Sequence, residues 1–351
     1  MGKLAYKIYA LITAAIIVAG GAGIAWGMHF GASKLPLRQY FSQNYTNAVW
    51  DWSNPAAKTQ HDLNELSDFM YLHQLNAVYV DVGQYAALVD GQMDDKKAAA
   101  KQTLEDALIR YITTLKKRDV KVYAAAGDVT WSNPDKRHIP MGVLRAVQEY
   151  NQQHKDAAFS GVEFDIESYN QEGFSTGSIT VKTLVLTDYL DMVDELAAAA
   201  QSYVEQTGAS LELGFAIPYW FDNQNGNIPS VTWREKTGPT LYHLLDRLNT
   251  LPQSNVVVMA YRNAARGNDG VLAHSRTEVE YAQAKAPNVA VLIGQEVNDV
   301  KPAKITYFGQ STTELSAQVK AIEDAYTQIP TFRGIAINDL AALKELERQK
   351  G

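Results

Sequence analysis

The sequence predicts an α/β fold, a (β/α)8 TIM barrel behind an N-terminal transmembrane helix. Three observations carry the prediction. Eight short apolar runs, rich in β-branched and aromatic residues, recur along the chain. Longer segments with helical spacing of apolar residues lie between them. Roughly 300 residues follow the terminal apolar segment, against about 250 typical of this architecture.

The runs in order are 47–52, 76–83, 120–127, 161–168, 211–220, 255–262, 288–296 and 332–339. The clearest helical segments are 63–73, 104–118, 184–206 and 313–328, and 340–349 reads as a last helix. Strands alternating with helices imply a parallel sheet. A doubly wound open sheet is the main alternative, but no glycine-rich phosphate loop follows the first run.

Residues 1–31 read as a membrane anchor or signal segment, 32–46 as a linker and 47–351 as the barrel domain. Lys3 and Lys7 precede an uncharged run, Ile8–Met28, long enough at ~1.5 Å per residue to span a bilayer. Basic residues ahead of it favour an inside N-terminus and an exported body, hence a single-pass cell-membrane protein with an extracellular domain. A cleaved signal peptide is the competing reading, though the run is longer than the usual apolar region of about 7–15 residues.

Composition narrows the chemistry. The net charge is −7 and no long basic run occurs, so nucleic acid is not an expected partner. There is no cysteine, and the seven histidines show no zinc-ligand spacing, so neither metal nor cofactor is expected.

The fourth run, "GVEFDIES", places Glu163, Asp165 and Glu167 at alternate positions. On a strand these side chains share one face, while Val162, Phe164 and Ile166 share the other. With the aliphatic face under the helices, the acids point into the barrel, and Glu167 lies nearest the C-terminal mouth, where active sites of this fold lie. Burial and mutual repulsion hold at least one of them protonated near neutral pH. A poised proton donor is what cleavage of a glycosidic bond requires.

The stretch Ser160-Gly161-Val162-Glu163-Phe164-Asp165-Ile166-Glu167 resembles the strand-four signature of glycoside hydrolase family 18, the chitinase-like barrels, written D-G-x-D-x-D-x-E. The sixth run carries Met259-Ala260-Tyr261-Arg262, similar to the family's M-x-Y-D. The resemblance implies Glu167 as general acid and base, Asp165 as the residue orienting a substrate N-acetyl group, and Tyr261 as its clamp. It also implies that the acetamido oxygen, rather than a protein carboxylate, attacks the anomeric carbon. Glu163 then tunes Asp165 from below. The chain departs from the pattern at Ser160 and Glu163, at Arg262, and at the end of the eighth run. There Asn338 and Asp339 stand where the family tends to place a tryptophan.

Further candidates for substrate contact fall near the ends of the runs: Asp51, Trp52, Asp81, Asp128, Trp131, Tyr219, Trp220, Asp222, Arg262, Glu296 and Asn338. Acids accept sugar hydroxyls and aromatic faces stack on sugar rings. "WSNP" occurs at 52–55 and again at 131–134, which is turn chemistry or a pair of stacking platforms. The expected function is a membrane-anchored extracellular glycosidase acting on an N-acetylhexosamine-containing glycan with retention. A carbohydrate-binding barrel without catalysis is the alternative, and a metal-dependent deacetylase a weaker third.

Overall fold

The computed structural model describes residues 41–350 apart from 43, 90, 91, 225 and 227. The run Ile8–Met28, and the anchor expected there, lies outside the described residues. Among the described residues no helix is long and apolar enough to cross a membrane.

Eight parallel strands close into a barrel: β1 (Thr46–Asp51), β2 (Ala77–Asp81), β3 (Lys121–Ala126), β4 (Gly161–Phe164), β5 (Glu212–Pro218), β6 (Ser254–Met259), β7 (Val289–Glu296) and β8 (Phe332–Asn338). Each pairs with its neighbour in sequence, and β1 closes the ring against β8, with Val49 opposite Ile337. All eight expected runs are strands.

The helices are α1 (Gln60–His73), α2 (Gln84–Val89), α3 (Asp95–Lys116), α4 (His138–Gln153), α5 (Ile179–Thr207), α6 (Thr240–Leu248), α7 (Val271–Lys285), α8 (Thr312–Tyr326) and α9 (Leu340–Lys350). Caps fix their ends. Thr59 with Asp62, and Ser311 with Glu314, form reciprocal capping boxes at the starts of α1 and α8. α3 begins nine residues before the expected start at 104, because Asp94 caps it at Lys97 N. Its polar first turns have no apolar stripe to reveal them.

Alternation along the strands divides the core into two layers. Val49, Val78, Val80, Val122, Val162 and Phe164 face outward and are buried under the helices. Burying such a side chain contributes about 1.5–3 kcal/mol. The opposite face fills the barrel with Trp50, Tyr79, Tyr123, Ala125, Ala216, Val257, Met259, Leu292 and Ala336. Tyr79 stands 5.1 Å from Trp50 and 5.4 Å from Tyr123, ring centre to ring centre, forming an aromatic layer across β1, β2 and β3.

Two features depart from the sequence reading. β4 stops at Phe164, so Glu167 lies beyond the strand and leads into a 3-10 turn at Ser168–Asn170. Its partner β3 ends at Ala126, and the last ladder bond runs from Asp165 N to Ala126 O at 3.0 Å. A small hairpin, Val231–Trp233 against Lys236–Gly238, interrupts the segment between β5 and β6. Its turn residues Arg234 and Glu235 both adopt positive φ, 48° and 66°, without the Asn or Gly that marks such turns in a sequence. The hairpin is held instead by Trp233, whose indole N–H donates to Asp191 of α5 at 2.8 Å.

Candidate active site

The acids of β4 enter the barrel as the alternation requires. Glu163 is completely buried among the inner side chains. Its carboxyl group lies over Gly214 of β5, so near that a Cβ there would meet Glu163 Oε2 at 1.9 Å. The longer glutamate side chain is thus accommodated by a missing side chain on the next strand. Burial, reinforced by the Glu212 and Asp165 carboxylates, pushes Glu163 well above the usual carboxylate range. The Asn255 amide leans toward it and opposes the shift, yet neither Glu163 oxygen has a partner in hydrogen-bond geometry. Asn255 Nδ2 is committed to Glu212 Oε1 at 2.8 Å. Replacing Gly214 with Ala is expected to cost about 1–3 kcal/mol, and Glu163→Asp in the same chain to recover part of it. A double-mutant cycle by chemical denaturation reads the coupling; additive effects would contradict the contact.

Asp165 stands one layer higher. Burial is the main cause, and the charge of Glu167 the second, that pushes its carboxyl up to about 7. One of its oxygens, Oδ1, is sealed from solvent with no partner. The folded chain therefore keeps a proton that the unfolded chain loses near pH 4. Stability falls as pH rises from about 4 to about 7. Glu323 of α8, also raised to about 7 chiefly by burial, acts in the same direction. Scanning calorimetry across that window is expected to show a falling Tm, with a shallower slope in Asp165→Asn. An unchanged slope in that variant would remove Asp165 as the proton holder.

Glu167 crowns the column at the mouth. Burial raises its carboxyl, while Tyr169 and Asn170 reach it and favour the ionised form. Asn170 Nδ2 donates to Glu167 Oε2. Tyr261, from the chain just past β6, is enclosed beside these acids. Its phenol is raised well above the usual range by burial and then by Asp165, Glu296 and Glu167. Gly294 of β7 makes room for the ring, since a Cβ there would stand 3.0 Å from Tyr261 Cε1. Asp165, Glu167 and Tyr261 therefore share one site.

A second group joins from β1, β7 and β8. Glu296 is buried and accepts from Asn298 N at 2.7 Å, from Asn298 Nδ2 at 2.8 Å and from Asn338 Nδ2 at 2.8 Å. Asn338 Oδ1 in turn accepts the indole N–H of Trp52 at 2.9 Å. Trp52 is 38% exposed and lies nearly parallel to Trp50, 6.5 Å away. The position at the end of β8 thus carries no aromatic ring itself, but it holds one that belongs to the adjoining strand. Asp81, at an inward position ending β2, is raised chiefly by burial while Gly83 N donates to it at 2.7 Å.

Other candidates lie elsewhere. Asp51 faces outward from β1, where it accepts from Tyr111 at 2.8 Å and pairs with Lys58 at 3.4 Å. Being next to the inward Trp52, it cannot share that face. Trp131 is buried in the outer core, so only Trp52 of the repeated motif reaches the mouth. Asp128 caps its own turn, accepting from Thr130 N at 2.8 Å and Thr130 Oγ1 at 2.6 Å. Arg262 donates to Asp269 at 2.8 Å and lies against the Tyr219 ring, which also packs on His274. Asp222 accepts from Gln224 N at 3.1 Å and faces the buried Glu278 of α7. Trp220 backs the site, meeting Tyr169 edge-on at 4.8 Å.

Tyr169 and Asn170, which hold Glu167, and Asn298, which holds Glu296, escape the sequence reading. Tyr169 and Asn170 lie in the 3-10 turn past β4, where strand alternation no longer applies, so no periodic signal marks them. Among the described residues no three His, Asp or Glu side chains are placed to hold a metal ion.

No family model matches the chain, and no curated protein matches it. Solved structures do. A GH18 chitinase from Pseudoalteromonas aurantia superposes with a TM-score of 0.51 at 13% identity, over 85% of this chain and 94% of that one. A glycoside hydrolase family 18 N-acetylglucosaminidase from Paenibacillus barengoltzii gives 0.46 at 12% identity, over 85% and 96%. A xylanase and alpha-amylase inhibitor protein from Scadoxus multiflorus gives 0.48 at 13% identity, over 86% and 95%. The likeness to the chitinase is one of fold.

Proposed function

We propose that the chain is a glycoside hydrolase acting on an N-acetylhexosamine-containing glycan. Glu167 gives its proton to the departing sugar oxygen and afterwards takes one from water. Asp165 orients the substrate's N-acetyl group, and the Tyr261 hydroxyl donates to it. The acetamido oxygen attacks the anomeric carbon, and the second displacement by water restores the configuration. The single observation that supports this reading most is the meeting of Asp165, Glu167 and Tyr261 at the mouth, with both carboxyls raised by burial. The shared fold of the Pseudoalteromonas aurantia chitinase points to the same substrate class. Trp52, fixed by Asn338, supplies an aromatic face for a sugar ring.

The proposed setting is the outer face of a cell membrane, with residues 8–28 as tether. Retention in the membrane fraction through an alkaline carbonate wash tests the tether separately.

The experiment for the activity is incubation of the full chain with a panel of N-acetylated polysaccharides. New reducing ends are counted and the first-formed anomer is identified by NMR. Release of product with retained configuration is expected. One observation favours a second reading, a carbohydrate-binding barrel without turnover: Asn170 occupies an oxygen of Glu167 and stabilises its ionised form. Glycans that bind but are never cut would select it.

A further inference from the structure

A cavity of about 430 Å³ opens at the end of the barrel opposite the acids. Its rim is built from strand beginnings, including Thr46 of β1, Lys121 of β3, Glu212 of β5 and Arg333 of β8. Its roof is the inner layer, with Tyr79, Tyr123 and Leu292. That volume lies within the ~300–1,000 Å³ of small-molecule sites.

The hydrogen-bonding groups of this cavity do not balance. Glu212, its carboxylate, is already satisfied: Oε2 accepts from Tyr123 at 3.0 Å and Oε1 from Asn255 at 2.8 Å. Gln253 Oε1 accepts from Ser210 at 2.7 Å. On the donor side, the Lys121 ammonium, the Arg333 guanidinium and the Tyr79 hydroxyl have no hydrogen-bond or ion-pair partner among the described residues. The Thr331 hydroxyl, also in the lining, is sealed from solvent without one. Two cations face one occupied carboxylate, although the chain as a whole carries −7. An excess of donors and of positive charge selects a ligand that only accepts and is negatively charged. A planar guanidinium and a compact ammonium, both on exposed residues of one rim, suit the several oxygens of one oxyanion.

We propose that the N-terminal end of the barrel is a binding site for a small oxyanion of the phosphate or carboxylate class, held by Lys121 and Arg333 under the Tyr79 hydroxyl. This site lies at the other end of the barrel from Asp165 and Glu167, with Glu163 acting on its Tyr79 roof, and does not depend on glycan hydrolysis.

Calorimetric titration of the full chain with inorganic phosphate, at constant ionic strength, tests it. Saturable binding to one site is expected. Lys121→Met and Arg333→Met should each weaken it by at least about tenfold, the effect of a lost charge-assisted hydrogen bond. Lys121→Arg, which keeps the charge, should retain it. Phosphate should raise the Tm of the parent chain and leave that of the Lys121→Met/Arg333→Met double variant unmoved. Tyr79→Phe repeats the test from the roof, away from the rim. Absence of saturable binding to the parent chain overturns the proposal, and so does parental affinity in the double variant.

Discussion

Replacing Glu167 with Gln is expected to lower glycan hydrolysis by roughly 10²–10⁴-fold, the range over which a positioned acid and base contributes. The amide keeps the shape and can still pair with Asn170, but it has no proton to give to a leaving oxygen. Binding of the uncut glycan should persist, because Trp52, Tyr261 and Asp165 are untouched. Far-UV circular dichroism and melting should match the parent chain, since Glu167 lies past the end of β4 and takes no part in the barrel ladder. Initial rates on the most active substrate of the panel give the measurement. A variant as fast as the parent would move the proton donor elsewhere, with Glu296 as the next carboxylate at the mouth.

Gly127→Ala is expected to damage fold and site together, at about 3 kcal/mol or more, the upper end for a group forced into a packed interior. A Cβ on Gly127 would lie 1.8 Å from the carbonyl oxygen of Asp165 and 2.5 Å from its carbonyl carbon. These are backbone atoms, unlike the mobile carboxyl end that Gly214 faces, so no rotamer change relieves the contact. β3 and β4 would have to part where Asp165 N bonds Ala126 O. Asp165 would then leave its position under Glu167. Denaturation curves should show the loss of stability, and any residual hydrolysis should fall with it. Parental stability in this variant would mean that β4 passes Gly127 at a greater distance.

Both expectations rest on residues of unequal visibility in the sequence. The acids of β4 announce themselves, because three carboxylates alternating with Val162, Phe164 and Ile166 have no ordinary packing explanation. Gly127 and Gly214 do not. A glycine matters there because of which atom of another strand comes near, and that depends on register. Asp51 and Trp52 show the same limit from another side. Neighbours on a strand point to opposite faces, so only one can serve the mouth, and the phase of the alternation follows from strand pairing. Trp131 looks like Trp52 in its local motif, yet it lies after β3, where the chain turns its ring into the outer core.

The sequence by itself determined the eight strands, their alternation with helices, and the inward alternation of Glu163 and Asp165. Those features follow from periodicity, which is a local property of the chain. The tertiary structure alone decided that Gly214 receives Glu163, that Asn338 bridges Trp52 to Glu296, and that Lys121 and Arg333 share a cavity. Each of these joins residues far apart in sequence, and only closure of the barrel, with its fixed register, brings them to one place.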